Sequence, residues 1–194
     1  MSSNFALIAL LIICNGMLQV KCYFRVNIET PLGFDWTNCG DKSVDPIVFN
    51  SMNAEPDPVN IPGNLSLSID AIIKTTIAEP TSLQIIIKKK FLGTFFEVPC
   101  VDNIGSCNYS NPCDLLQNIK CPPEVEAQGW NCRCPLTQNE IKLEKLVIII
   151  PTISLPSFIE NGEYEIQATL NNGNERVFCY KIHCSLHSTG IIVH

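Results

Sequence analysis

Charge is scarce in this chain. Asp, Glu, Lys and Arg make up only 16% of its residues against 46% hydrophobic, and 13 basic to 19 acidic residues leave a formal net charge of −6. So apolar a composition excludes a largely disordered chain. The acidic balance argues against electrostatic binding of nucleic acid, which needs a basic surface. Catalytic signatures are missing too: there is no G-x-S-x-G elbow, no H-E-x-x-H helix, no P-loop and no G-x-G-x-x-G turn. Histidine is confined to His183, His187 and His194, within twelve residues of the C-terminus. A glycosidase built on two carboxylates distant in sequence stays open on these grounds, but a binding protein ranks ahead of an enzyme. Finally, no run reaches the roughly 18 to 20 apolar residues that a transmembrane helix requires.

Cysteine, by contrast, is abundant, at 11 in 194 residues. The chain is long enough for one domain with a sizeable core. Phe5 to Ile13 reads FALIALLII, nine apolar residues, too short to span a bilayer and of the size of a signal-peptide core. Residues 1–22 are therefore expected to be a signal peptide, cleaved after Gly16 or after Cys22, and residues 23–194 one domain. Both cuts remove Cys14. Cleavage after Cys22 leaves nine cysteines, whereas cleavage after Gly16 keeps Cys22 and leaves ten. An exported chain favours disulfides. Zinc competes for Cys132-Arg133-Cys134, but there is no paired C-x-x-C and no histidine between Cys39 and Cys179. The sequons Asn64-Leu65-Ser66 and Asn108-Tyr109-Ser110 fit the same compartment and make Asn64 and Asn108 candidate glycosylation sites.

The mature chain has the pattern of strands. Leu65, Leu67 and Ile69 alternate with Ser66, Ser68 and Asp70, then Leu83, Ile85 and Ile87 with Gln84, Ile86 and Lys88. Tyr164, Ile166, Ala168 and Leu170 repeat the period. Asn171-Asn172-Gly173-Asn174 then predicts a hairpin turn into a strand from about Arg176 to Leu186. Pro46 to Glu55 and Leu143 to Ile150 read as further strands, and Asp114 to Ile119 as a short helix among the cysteines. Two segments carry large apolar groups where turns usually carry polar ones. One is Lys88 to Phe96, with three lysines and the apolar Phe91, Leu92, Phe95 and Phe96; the other holds Ile153, Leu155, Phe158 and Ile159. Either these side chains cap the core, or they meet a lipid or membrane surface.

Uninterrupted strings give the chain a family. Phe34-Asp35-Trp36-Thr37-Asn38-Cys39, Glu55-Pro56-Asp57-Pro58, Ile61 to Ser68, Val98 to Cys107, Cys113-Asp114-Leu115-Leu116, Cys132-Arg133-Cys134-Pro135 and Leu155-Pro156-Ser157-Phe158 resemble the ganglioside GM2 activators, the lysosomal sphingolipid activator family. The resemblance runs from Phe34 to Leu186. It implies an all-β fold, a single-domain antiparallel β-cup around a large apolar lipid cavity, with the short helix in a disulfide-rich loop. It also implies the disulfides Cys39–Cys179, Cys100–Cys107, Cys113–Cys134 and Cys121–Cys132, leaving Cys184 without a partner. Where the family has a tryptophan in each of two mouth loops, Phe95 and Phe158 stand here.

By the same resemblance the activity is not enzymatic and needs no metal or cofactor. A glycosphingolipid is drawn from a membrane and its sugar presented to a β-hexosaminidase-type glycosidase, in the lysosome or outside the cell. Leu67, Ile69, Ile85, Ile87, Ile148 and Ile150 are the candidate cavity lining. A soluble lipid carrier with no glycosidase partner, and an extracellular interaction protein with a vestigial cavity, are the alternatives.

Overall fold

Two antiparallel sheets account for most of the chain, as the alternating rows require. The structure, a computed structural model, describes residues 33–117, 119–152 and 161–188. The expected signal segment, Cys14, Cys22 and the loop residues Ile153, Leu155, Phe158 and Ile159 lie outside them. In chain order come β1 (Asp35–Asn38), β2 (Ile47–Glu55), β3 (Val59–Ile61), β4 (Gly63–Ile73), β5 (Thr81–Phe91), β6 (Thr94–Glu97) and β7 (Asn108–Tyr109). Then follow the short helices α1 (Cys113–Gln117) and α2 (Pro123–Glu126), and the strands β8 (Asn139–Ile150), β9 (Gly162–Asn172) and β10 (Glu175–Ser188). The larger sheet runs β1-β10-β9-β5-β6, with β3 parallel on β10 and β7 on β5; the smaller runs β2-β4-β8. The β8 strand begins at Asn139, ahead of the expected Leu143, because Asn139 and Ile141 pair with Ile73 and Ala71. The β9–β10 turn forms as predicted, with Gly173 at φ 58°.

Alternation puts one side chain set of each sheet inward. Extra residues in β2 and β8 shift the register between Phe49 and Ser51 and between Leu67 and Ile69, so that Leu143, Leu146 and Ile148 keep one face. At one end the sheets meet in a core containing Ile47, Ile73, Ile141, Leu143, Leu146, Leu170 and Val177, with Phe49, Leu83 and Phe178 against it. A second cluster, at the other end of the larger sheet, joins Val98 and Tyr164 to Ile87, Ile166, Cys184 and Leu186. Ile85, Ala168 and Ile182 lie on the same rows between the two ends and are half-buried. They join neither cluster.

Four disulfides staple this frame: Cys39–Cys179, Cys100–Cys107, Cys113–Cys134 and Cys121–Cys132, the pairs that the resemblance implies. Both cysteines of Cys132-Arg133-Cys134 are thereby in disulfides, which removes zinc as a role for them. Cross-links between residues far apart in sequence stabilise mainly by constraining the unfolded chain, typically about 2–4 kcal/mol each. Among the described residues Cys184 is the free thiol.

Candidate functional site

The β5–β6 hairpin carries the apolar residues that the sequence left at a turn. Its two turn residues, Leu92 and Gly93, both have positive φ, 48° and 81°. Two-residue hairpin turns of this kind favour Asn-Gly, because φ above zero is strained for a bulky side chain. Leu92 is nevertheless a leucine, and it is 89% exposed. Folding alone rewards neither property. On the strands beside it Phe91 and Phe96 are 64% and 56% exposed.

Pairing then divides the hairpin between two faces. Lys89 stands opposite Phe96 and Lys90 opposite Phe95. Phe91, Phe96 and Lys89, with Val98 and Pro99, line an apolar cavity of about 430 Å³ on the inward side. Two of these lining residues rest on Tyr164, only 2% exposed: its ring centre lies 5.8 Å from Lys89 Nζ, and it shares the second cluster with Val98. Burial, then the neighbouring Cys184, pushes the Tyr164 phenol up to about 12. Burial, then the charge of Asp57, pushes the Cys184 thiol up to about 11. Both groups are therefore neutral around neutral pH. They behave as part of an apolar wall.

The outward face is ionic. Lys88 Nζ lies 3.2 Å from Glu165 Oε1 and Lys90 Nζ 3.0 Å from Glu163 Oε2. Lys181 and His183 flank Glu165 at 3.9 and 3.7 Å. Phe95 turns to this side, its ring centre 6.2 Å from that of His183. Of the four hairpin candidates, Phe91 and Phe96 line the cavity, Leu92 forms the tip, and Phe95 packs on the other face.

Below the hairpin the apolar rows descend along the larger sheet. From β5 come Ile87, Ile85 and Leu83, paired to Ile166, Ala168 and Leu170 of β9. On the smaller sheet Leu67 pairs with Leu146, Leu65 with Ile148, and Gly63 with Ile150. The six lining candidates thus divide: Leu67 and Ile69 pack on the closed core, Ile87 on the second cluster, while Ile85, Ile148 and Ile150 join neither. In the run Leu146 to Ile150, Val147 and Ile149 face outward, 49% and 76% exposed. The Tyr180 hydroxyl, also on these rows, is engaged, accepting hydrogen bonds from Phe49 N (2.9 Å) and Asn38 Nδ2 (3.1 Å). Asn64 and Asn108 are both exposed.

Sequence reasoning did not pick out Ala168, Ile182, Val98, Pro99 and the Lys89–Tyr164 contact as parts of this site. The alternation of β9 and β10 carried the first two; the others depend on pairing distant in the chain. What the arrangement offers chemically is a surface on which apolar chains can replace water, with exposed aromatic groups at its rim.

Known proteins supply the context. The ML domain family model matches residues 33–186. The ganglioside GM2 activator of Macaca fascicularis is 34% identical over 158 residues, covering 79% of this chain and 83% of its own, and that of Mus musculus 33% identical over 159 residues, covering 79% and 82%. Among solved structures, a Niemann-Pick type C2 protein from Japanese carpenter ant is 14% identical with a TM-score of 0.41, covering 78% of this chain and 98% of that one. Chicken MD-1 complexed with lipid IVa is 13% identical with a TM-score of 0.39, covering 79% and 88%. At such TM-scores neither structure, nor the lipid of the second, has a bearing on this chain.

Proposed function

This chain belongs to the ML-domain family, among the ganglioside GM2 activators, and from that premise we propose that it is a non-enzymatic lipid-binding activator. It withdraws a glycosphingolipid from a membrane, holds the apolar chains between its sheets and leaves the sugar outside for a β-hexosaminidase-type glycosidase. The observation that carries this reading is the hairpin: Leu92 is exposed at a strained φ, beside the exposed Phe91 and Phe96 and above an apolar cavity.

Physical chemistry explains why such a protein is needed. Each CH₂ withdrawn from a bilayer into water costs about 0.8 kcal/mol, so two chains of about 15 carbons would cost about 24 kcal/mol. An apolar hollow removes most of that barrier by replacing one apolar solvent with another. No covalent step is involved. The exposed hairpin tip enters the interface, the rows of β5 and β9 accept the chains, and the headgroup stays at the rim. An exported chain working in the lysosome or outside the cell, glycosylated at Asn64 and Asn108, fits the same reading.

The test is mass spectrometry of lipid retained by the native secreted protein, followed by a β-hexosaminidase assay with that lipid in vesicles. The expected result is a retained glycosphingolipid and faster hydrolysis when the protein is added. Retained lipid without stimulation would make the protein a lipid carrier instead. Absence of any retained or exchangeable lipid would overturn the reading altogether.

A further inference from the structure

At the opposite end of the larger sheet lies a second apolar cavity, of about 310 Å³, remote from the hairpin. One wall is the start of the inward rows, Leu83, Leu170 and Phe178; the other is the disulfide-held segment of α1, with Leu115, Leu116 and Ile119. Its hydroxyl is that of Thr81, 5% exposed and 3.7 Å from Cys113 Sγ, which is itself in a disulfide. Water needs two to four polar partners in such a space, and dry apolar cavities of only about 150 Å³ take up small apolar molecules. This cavity is larger and suited to an apolar occupant.

Its place in the fold identifies that occupant. Leu83 continues the row of Ile85 and Ile87, which ends at Lys89 beneath Phe96. Six residues of strand at about 3.3–3.4 Å each separate Leu83 from Lys89, roughly 20 Å. The hydrocarbon half of a bilayer is about 15 Å deep. We propose that the cavity beneath α1 seats the methyl end of a lipid chain whose polar end stays at the β5–β6 hairpin, so that the protein selects lipids by chain length. The proposal rests on the lipid-binding reading above and adds a site to it. Long, extended acyl chains reach both cavities. Short chains reach only the upper one.

A docking groove for a partner protein is the competing use of the exposed Leu115 and Ile119, 49% and 45% exposed. The walls favour the lipid, because Leu170 and Thr81 are 6% and 5% exposed and belong to the interior.

The experiment measures affinity of the full chain for lipids of one headgroup carrying octanoyl, lauroyl or stearoyl chains. Wild type, Leu115→Phe and Leu116→Phe are compared, each variant filling the cavity from its α1 wall. Stearoyl lipid is expected to bind wild type at least tenfold more tightly than octanoyl lipid. Either filling variant is expected to lose about tenfold on stearoyl lipid and nothing on octanoyl lipid. Lipids bearing a nitroxide give a readout independent of the variants. Placed at the stearoyl methyl end, it should broaden the Thr81 and Leu116 amide signals; placed by the headgroup, those of Lys89 and Phe96. Binding that is independent of chain length, or broadening confined to the hairpin, would overturn this proposal while leaving lipid binding intact. The groove would then fall to a protein partner. Failure of every lipid to bind would overturn both readings.

Discussion

Leu92 is the residue at which folding and use conflict most plainly. Its φ of 48° suits asparagine, and its exposure wastes an apolar side chain. Strain of this kind costs about 1–3 kcal/mol. Leu92→Asn is therefore expected to raise the thermal midpoint, by about 2–4 °C for each kcal/mol of strain relieved. The same substitution should weaken partition into vesicles by about tenfold or more, since burying a leucine contributes about 1.5–3 kcal/mol. Calorimetry and vesicle sedimentation check both halves; a less stable variant that partitions as before would return Leu92 to an accident of the turn. Cys184 offers a second test. Its thiol keeps its proton up to about pH 11 in the folded chain, whereas an unfolded chain releases it near 8.5. Its contribution to stability is whole below the unfolded value and is lost as pH rises towards the folded one. Iodoacetamide should modify native protein at pH 8 about a hundredfold more slowly than unfolded protein; equal rates would contradict the burial. The sequence singled out Cys184 as unpaired, but only the fold puts it beside Tyr164, in the second apolar cluster.

Among the elements, the β5–β6 hairpin shows how much a sequence can and cannot reveal. The alternation of Leu83, Ile85 and Ile87 narrowed the row to two choices of face, and the pairing with Leu170, Ala168 and Ile166 decides between them. The turn was legible from three aromatics crowded beside three lysines. The split of Phe95 from Phe96, and the pairing of Lys88 and Lys90 with Glu165 and Glu163, were not. Those contacts join residues 77 and 73 apart in the chain, and no local pattern encodes them. Likewise the unbroken run Leu146 to Ile150 has no polar partner to mark its outer face, so only the register with β4 turns Ile148 inward and Ile149 out. The ion pairs also restrain the hairpin electrically. Removing the acidic partner with Glu165→Gln should free Lys88 for an anionic bilayer, where a lysine contributes about 1 kcal/mol. Binding of the variant to anionic vesicles is expected to rise by about fivefold at low salt, with neutral vesicles bound as before. An unchanged salt dependence would show that Lys88 does not meet the membrane.

Across the molecule the staples are distributed unevenly. The smaller sheet, β2, β4 and β8, contains no cysteine, whereas Cys39–Cys179 ties the end of β1 to β10 of the larger sheet, Cys100–Cys107 closes the loop after β6, and the other two bridges hold the segment of α1 and α2, which reaches β8 only through noncovalent contacts such as Asn139 Nδ2 to Gln128 O. What holds the smaller sheet to the larger is noncovalent: the core at one end and contacts such as the Tyr180 hydroxyl on Phe49 N. Local opening follows the weakest attachment. Amide hydrogens of β8, an edge strand, are expected to exchange with deuterium faster than those of β9 and β10, and saturation with lipid should slow β8 most; uniform exchange across both sheets would contradict this. The asymmetry makes one wall an anchored back and leaves the other the freer to move, so that the volume between the sheets can change while the cross-linked wall keeps its shape.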